Sequence, residues 1–474
     1  MSVAAATLAR RVTSSAIALA GRRIIVTLLA AAATAVVARR FGPAHYGQFS
    51  AALATWTLVL AASDFGFDLA LGREFAKQPQ RSRALLGAAY RLKGAWAFLL
   101  TLVLVALAYG AGLGSTRGQV LLVLAPSVFF SLFAPARQLF SALYRVHEAV
   151  VIDLVVVAAQ VGAMVTLALI GGPVAVAAAI SVGTSVNFVL VGLRARRLTS
   201  GESAERPDRR ELLRAVLPLG VIGFLTKVYL MIDLVLLGWM VSGHALGDYA
   251  AASKILSLLV SLPGVVIASA LPAFATLASA KEDLEQLTAR IWHLLTVGVL
   301  PVLVCVAIFT RPLVEIVLGS AYDNAIPLVR ILVLAATIGT ASSVLGMLLV
   351  ARAATRALVI QNVAAIVLNI GGNILLVPRY GVAAAAWLTV ATELAVCCGA
   401  VVLLHGQLSF RPWLRVGFRP VVAVAAAASI ALALATWPAI AFAASIVALV
   451  VLLSLLNAWP DELRGARRGW GAAR

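Results

Sequence analysis

Cysteine is nearly absent: Cys305, Cys397 and Cys398 all lie in apolar runs and two are adjacent, so neither a disulfide framework nor a metal-ligand spacing is available. Charge is scarce as well, at 12% of residues where a soluble globular chain carries about 25%. Acidic charge is scarcest, with 19 Asp and Glu against 38 Lys and Arg. No G-x-x-x-x-G-K-[ST] stretch occurs and no polar run is long enough for a catalytic or nucleotide-binding domain, which excludes transport driven by ATP hydrolysis within these residues. What the chain has in excess is apolar surface: 62% of its 474 residues are hydrophobic and the mean hydropathy is +1.02. No water-soluble core hides that much, so a soluble enzyme is excluded.

A membrane helix needs about 20 apolar residues. Apolar runs between charged or Gly/Pro breaks predict fourteen helices, near 20–38, 50–72, 94–111, 119–136, 149–170, 174–193, 215–240, 249–278, 291–309, 327–350, 357–377, 382–404, 420–436 and 439–457. Alternate connections then carry 30 Lys and Arg on one side and 6 on the other, leaving only Lys227 and Lys254 inside helices. By the positive-inside rule this puts both termini in the cytoplasm and the chain in the cytoplasmic, or inner, membrane. The basic excess therefore reads as loops facing anionic membrane lipids rather than as a nucleic-acid surface. Arg10, Arg11, Arg22 and Arg23 precede the first apolar run, which reads as an uncleaved helix because Arg39 and Arg40 follow it at once.

The two halves repeat. Val174–Thr184 matches Val382–Thr392 at an offset of 208, and Tyr46 and Tyr249, each opening a helix, lie 203 apart. Six helices per copy make the repeats parallel, related by an axis along the membrane normal. The expected fold is an all-α polytopic membrane protein of about 14 transmembrane helices, in two pseudo-symmetric six-helix lobes plus two C-terminal helices. Its expected parts are an N-lobe at 1–193, a basic cytoplasmic linker at 194–214, a C-lobe at 215–404, and two extra helices with a cytoplasmic tail at 405–474.

The same segments carry a family resemblance. Ala38-Arg-Arg-Phe-Gly-Pro-Ala-His-Tyr-Gly-Gln-Phe49, then Asp64-Phe-Gly-Phe-Asp68 with Arg73, then Ile232-Asp-Leu-Val-Leu-Leu-Gly238 followed by Leu246-Gly-Asp-Tyr249, and finally Asn373-Ile-Leu-Leu-Val-Pro-Arg-Tyr-Gly-Val382 occur in matching order. As a set they resemble the polysaccharide-exporter branch of the multidrug/oligosaccharidyl-lipid/polysaccharide exporter superfamily. That resemblance implies a flippase, not an enzyme, which moves undecaprenyl-pyrophosphate-linked oligosaccharide repeat units to the outer leaflet by alternating access. It implies H+ or Na+ coupling without a bound cofactor, and a polysaccharide polymerase and glycosyltransferases as partners. The competing expectations are a peptidoglycan lipid-precursor flippase, a cation-coupled multidrug exporter, and a membrane glycosyltransferase or polymerase. The last wants a larger outer loop than 310–326, whose ionisable residues are Arg311, Glu315 and Asp323.

Ionisable groups within the bilayer are costly, which makes them site candidates. Lys227 and Lys254 are expected in a cavity wall that attracts an anionic headgroup, or as partners of carboxylates. Asp233 matches the family's aspartate and either titrates or fixes a kink. Asn187 and Asn369 either bond sugar hydroxyls or bridge helices. Asp64 and Asp68, four residues apart on one helical face with Arg73 beyond, form a gate or an interfacial cluster. Glu393, central in its helix, is the candidate for ion coupling.

Overall fold

A computed structural model describes residues 3–199, 209–277, 281–352, 355–405, 411–434 and 436–460. The middle of the expected linker and the tail from 461 lie outside the described residues. Every regular element among the described residues is a helix. Thirteen are long and apolar enough to cross a membrane, and the first of these, Ile25–Lys77, has 53 residues. At 1.5 Å per residue that is about 80 Å, more than two bilayer cores. It is divided at Gly42, whose φ of 68° and ψ of 169° are not helical, and Pro43 follows with no N–H to rejoin the ladder. Counted as two, the segment restores the fourteen crossings read from the sequence, and the chain is a multi-pass membrane protein.

Contacts divide the chain into two units, Met1–Ala250 and Ala251–Arg474. The first contains α1 (Val3–Asp64), α2 (Phe67–Lys77), α3 (Ser82–Gly110), α4 (Thr116–Phe130), α5 (Ala136–Ala142), α6 (Val146–Ile170), α7 (Pro173–Leu198), α8 (Arg209–Met240) and the first turns of α9 (His244–Leu277). Punctuation follows local chemistry. The Ser115 hydroxyl accepts the Gly118 N–H to cap α4, and Pro173 opens α7 where no N–H is needed.

The expected second helix, 50–72, is not continuous. Phe65 (φ 31°) and Gly66 (φ 82°) break it, and α2 restarts at Phe67 in a new direction. Helix α2 buries Phe67, Ala70, Leu71 and Phe75, the stripe of an amphipathic helix, against Leu85, Leu86 and Ala89 of α3 and Leu139 and Phe140 of α5. Small residues set the closest approaches, as expected where lipid supplies no hydrophobic drive between helices. A Cβ on Gly183 of α7 would stand 2.6 Å from Gln160 Oε1 of α6.

The second unit holds the rest of α9, then α10 (Lys281–Gly298), α11 (Leu300–Ile308), α12 (Thr310–Val317), α13 (Ala325–Ala351), α14 (Thr355–Tyr380), α15 (Val382–Leu404), α16 (Arg411–Ala433) and α17 (Pro438–Leu455). Helix α13 packs most extensively on α15, and α16 pairs with α17. Trp292 of α10 stacks on Trp413 of α16, with ring centroids 5.5 Å apart.

Candidate functional site

The most deeply buried cation among the described residues is one that the sequence counted with the connection leading into the third helix. Helix α3 starts at Ser82 rather than near 94, so Lys93 lies within it, and its side chain is 0% exposed. Its Nζ donates to Asp64 Oδ1 at 3.2 Å and lies 5.7 Å from the centre of the Phe67 ring. Asp68 Oδ1 is buried with no hydrogen-bond partner. The two aspartates stand on either side of the Phe65–Gly66 break and not along one continuous helical face. Arg73 does not join them. Five residues beyond Asp68 it has turned about 140° around α2, and it is exposed without an ion pair among the described residues.

A second polar cluster closes on itself. Arg137 of α5 is ion-paired to Asp153 of α6, and its Nη2 donates to Asn187 Oδ1 of α7 at 2.8 Å. Asn187 Nδ2 donates in turn to Asp153 Oδ1 at 2.9 Å. Of the two roles expected for Asn187, its amide makes the bridging one here, joining an ion pair across three helices. Arg137, counted with a loop, is inside a helix. One turn away Glu148 is held by both Arg145 and Arg194.

Helix α8 carries Lys227 and Asp233. Lys227 is exposed and has no hydrogen-bond or ion-pair partner among the described residues. Asp233 accepts the hydroxyl proton of Tyr249, whose side chain is fully buried. The six residues between them amount to about 120° of rotation, and the two are not a pair. Tyr249→Phe removes a donor from a half-buried carboxylate, and the expected loss is about 1–3 kcal/mol, read as a lower thermal midpoint in detergent.

The motif segments that suggested the repeat meet at the far end of α8. A Cβ on Gly47 would stand 2.6 Å from the Gly247 nitrogen, and one on Gly247 would run into the Pro43 carbonyl. Nearby, Arg117 lies over the Trp239 ring at 4.0 Å and a Cβ on Gly238 would touch Ala51. At the opposite end of α8, Gly220 packs against the Phe65 carbonyl and the Gly66 backbone, and the Phe224 ring lies 6.1 Å from that of Phe65.

In the second unit Lys254 is half-buried on α9 and makes no ion pair among the described residues. Asn369 is 3% exposed and accepts twice from the Asn373 amide, through its carbonyl at 2.8 Å and its Oδ1 at 3.0 Å. Unlike Asn187, it is bonded within its own helix. Glu393 of α15 lies over Gly339 of α13, where a Cβ would come within 3.2 Å of its carboxylate. A groove of about 800 Å³ between α14 and α15 is apolar apart from Arg356 and Gln361. Another of about 380 Å³ lies among α11, α16 and α17. Neither is lined by Lys254, Asn369 or Glu393.

The sequence pattern of a family described as polysaccharide biosynthesis protein matches residues 36–327. Among solved structures the fold is similar to the lipid II flippase MurJ in an inward closed conformation, with a TM-score of 0.74 and 13% identity over 92% of this chain and 97% of that one. It is also similar to an inward-facing multidrug resistance MATE family transporter of the MOP superfamily, with a TM-score of 0.63 and 13% identity over 85% and 95% of the two chains. A MOP superfamily transporter from Pyrococcus furiosus, whose binding pocket is described as having reverse polarity, matches with a TM-score of 0.52 and 13% identity over 88% and 96%. No curated protein matches in sequence.

Proposed function

Since this chain belongs to the polysaccharide biosynthesis protein family, we propose that it is a flippase that moves undecaprenyl-pyrophosphate-linked oligosaccharide from the cytoplasmic to the outer leaflet. The observation that carries this is the family match over residues 36–327 on a transporter-type fold of fourteen apolar crossings. The protein lies in the cytoplasmic membrane with both termini inside, and its frame is the N-lobe 1–193 and C-lobe 215–404 alternating about the linker 194–214, with 405–474 added. It does no covalent chemistry. Movement is coupled to H+ or Na+, with Glu393 as a coupling carboxylate in the second half. The polysaccharide polymerase and glycosyltransferases act before and after it.

Lys227 and Lys254 are the cations assigned to the pyrophosphate, because neither is committed to a carboxylate among the described residues. An ammonium is a compact, strongly hydrated charge suited to a phosphate that must later be released. Asn187 leaves the substrate set, since its amide is occupied within the protein, and the Asn369 Oδ1 is taken by Asn373. Asp233 serves by fixing α8 to α9 through Tyr249.

Purified protein in proteoliposomes should transfer a lipid-linked oligosaccharide between leaflets, and its depletion in cells should leave such lipids facing the cytoplasm. Unchanged sidedness in both would overturn the proposal. Export of cationic dyes without lipid flipping would favour the multidrug alternative, and transfer of lipid-linked peptidoglycan precursor in preference to oligosaccharide would favour the other. A hydrogen bond to a charged group contributes about 1.5–3 kcal/mol, so Lys227→Ala and Lys254→Ala should each slow flipping at low substrate by about ten- to a hundredfold. Lys227→Ala should leave the thermal midpoint unchanged, as expected for an exposed side chain without a partner.

A further inference from the structure

In the second unit, α14 and α15 run side by side with the groove of about 800 Å³ between them. The groove exists because small residues line its walls, Ala357 and Ala364 on α14 and Ala395 and Gly399 on α15. Larger ones stand at its rims: Ile360 is 59% exposed, Leu368 41% and Val402 73%. Apolar side chains this exposed on crossing helices face hydrocarbon, which is the one environment that does not penalise them. Gln361 donates through Nε2 to the Val396 carbonyl and so ties α14 to α15 along the groove.

The groove has the length of one leaflet and a charge at one end. From Arg356 to Leu368 is about 18 Å of helix, close to the ~15 Å half-thickness of the hydrocarbon core. Arg356 begins the crossing Arg356–Tyr380, so the groove runs from the membrane surface to the middle of the bilayer. Arg356 is also the one ionisable residue lining it, and it is exposed with no ion pair among the described residues. The only carboxylate on either helix, Glu393, lies over Gly339 of α13 and does not line the groove. A recess facing hydrocarbon loses dispersion contacts unless a chain lies in it. Lipid tails are all as apolar as these walls, however, so the walls by themselves choose no lipid. Arg356 supplies the choice, because a guanidinium pairs with a phosphate through two parallel hydrogen bonds and favours a headgroup that carries no cation of its own.

We propose that the α14–α15 groove is a binding site for an anionic glycerophospholipid, with an acyl chain along the groove and the phosphate at Arg356. The orientation proposed above puts Arg356 at the cytoplasmic surface, where anionic lipids act on basic side chains. The binding itself depends neither on that orientation nor on flipping. A bound lipid adds contacts to both helices at once and stabilises the folded protein.

Purified full-length protein in nanodiscs, with a benzophenone side chain in place of Ile360 at the rim, tests this with phosphatidylglycerol and phosphatidylcholine as probes. Irradiation should couple phosphatidylglycerol in preference to phosphatidylcholine by about fivefold, the equivalent of ~1 kcal/mol for one basic side chain at an anionic surface. Arg356→Gln should remove the preference, and Arg379→Gln, in the last turn of the same helix, should keep it. Gly399→Leu should lower the coupling of both lipids. A Cβ at that position meets only Gln361 Nε2, at 3.7 Å, so the added side chain enters the groove without moving backbone. Should Gly399→Leu fail to fold, the thermal midpoint in detergent carries the test: added phosphatidylglycerol should raise it in the wild type and raise it less in Arg356→Gln. Equal coupling of the two lipids in the wild type, or a loss of preference in Arg379→Gln as large as in Arg356→Gln, would overturn the proposal. Displacement of phosphatidylglycerol by an equal amount of undecaprenyl phosphate would overturn it too, and would assign the groove to a polyprenyl tail. Flipping measured on the same variants bears on the proposed function alone.

Discussion

Arg137→Ala will destabilise the protein by about 3–5 kcal/mol, the largest stability loss expected for an exchange of one polar side chain here. The partner left behind, Asp153 of α6, has a side chain 2% exposed and loses its ion pair to Arg137. Asn187 supplies one N–H to Asp153 Oδ1, which does not neutralise a charge. The loss is therefore the cost of a buried, uncompensated carboxylate, which exceeds what the ion pair contributes when intact. Thermal or denaturant unfolding in detergent measures it. The double variant Arg137→Ala/Asp153→Ala should recover much of the loss, since it removes the stranded charge along with its partner. Recovery that fails would mean that Arg137 holds α5 by packing and not by charge.

The same cluster separates two roles for Asn187. Within the triad, Asn187→Ala should lower stability together with flipping, and restoring the folded fraction should restore transport. A substrate contact would instead slow flipping in protein of normal stability. The two bonds that the Asn187 side chain makes, to Arg137 and to Asp153, support the first outcome.

The helical plan was legible because a membrane span is written in apolar length, and that signal survives errors of several residues at each end. The double crossing hidden in α1 was legible for a related reason: Arg39, Arg40 and Gly42-Pro43 interrupt the apolar run where the backbone later turns. That the motif segments meet was not legible: the sequence matched them as copies of a repeat, and the contact of Gly47 with Gly247 beside the buried Tyr46 and Tyr249 appears only in the fold. Neither were charges near span ends. Lys93 lies eleven residues after the start of α3, but the apolar run that marks the span begins only at about 94, so apolar length placed the lysine outside. Its burial depends on Asp64 and Phe67, which arrive through a chain break that hydropathy does not report. The partners of Asn187 were not legible, because they come from neighbouring helices, whereas Asn369 bonds Asn373 one turn along its own helix.

Gly247→Leu will slow flipping by about five- to a hundredfold while leaving the protein inserted and folded. The obstruction is the Pro43 carbonyl, a backbone group that cannot swing aside as a side-chain tip would, and on the other side a Cβ on Gly47 would stand 2.9 Å from the Leu246 carbonyl carbon. Either glycine replaced by a larger residue must push α1 and the start of α9 apart. Overpacking of this kind costs about 1–3 kcal/mol, so the state with these helices in contact should lose about five- to a hundredfold in population. A protein that alternates between states needs each of them, and the cycle should slow where this contact is required. Spin labels placed on α1 and α9 should report the longer separation, with the thermal midpoint little changed because the helices relax into lipid. Gly42 provides the contrast. It has φ of 68° and open space around its Cβ position, so Gly42→Ala costs only the backbone strain of about 1–2 kcal/mol and should slow flipping modestly. Equal loss of flipping in both variants would assign the defect to the kink in α1, and flipping retained in Gly247→Leu would show that the close approach of these two motif segments is not part of the transport cycle.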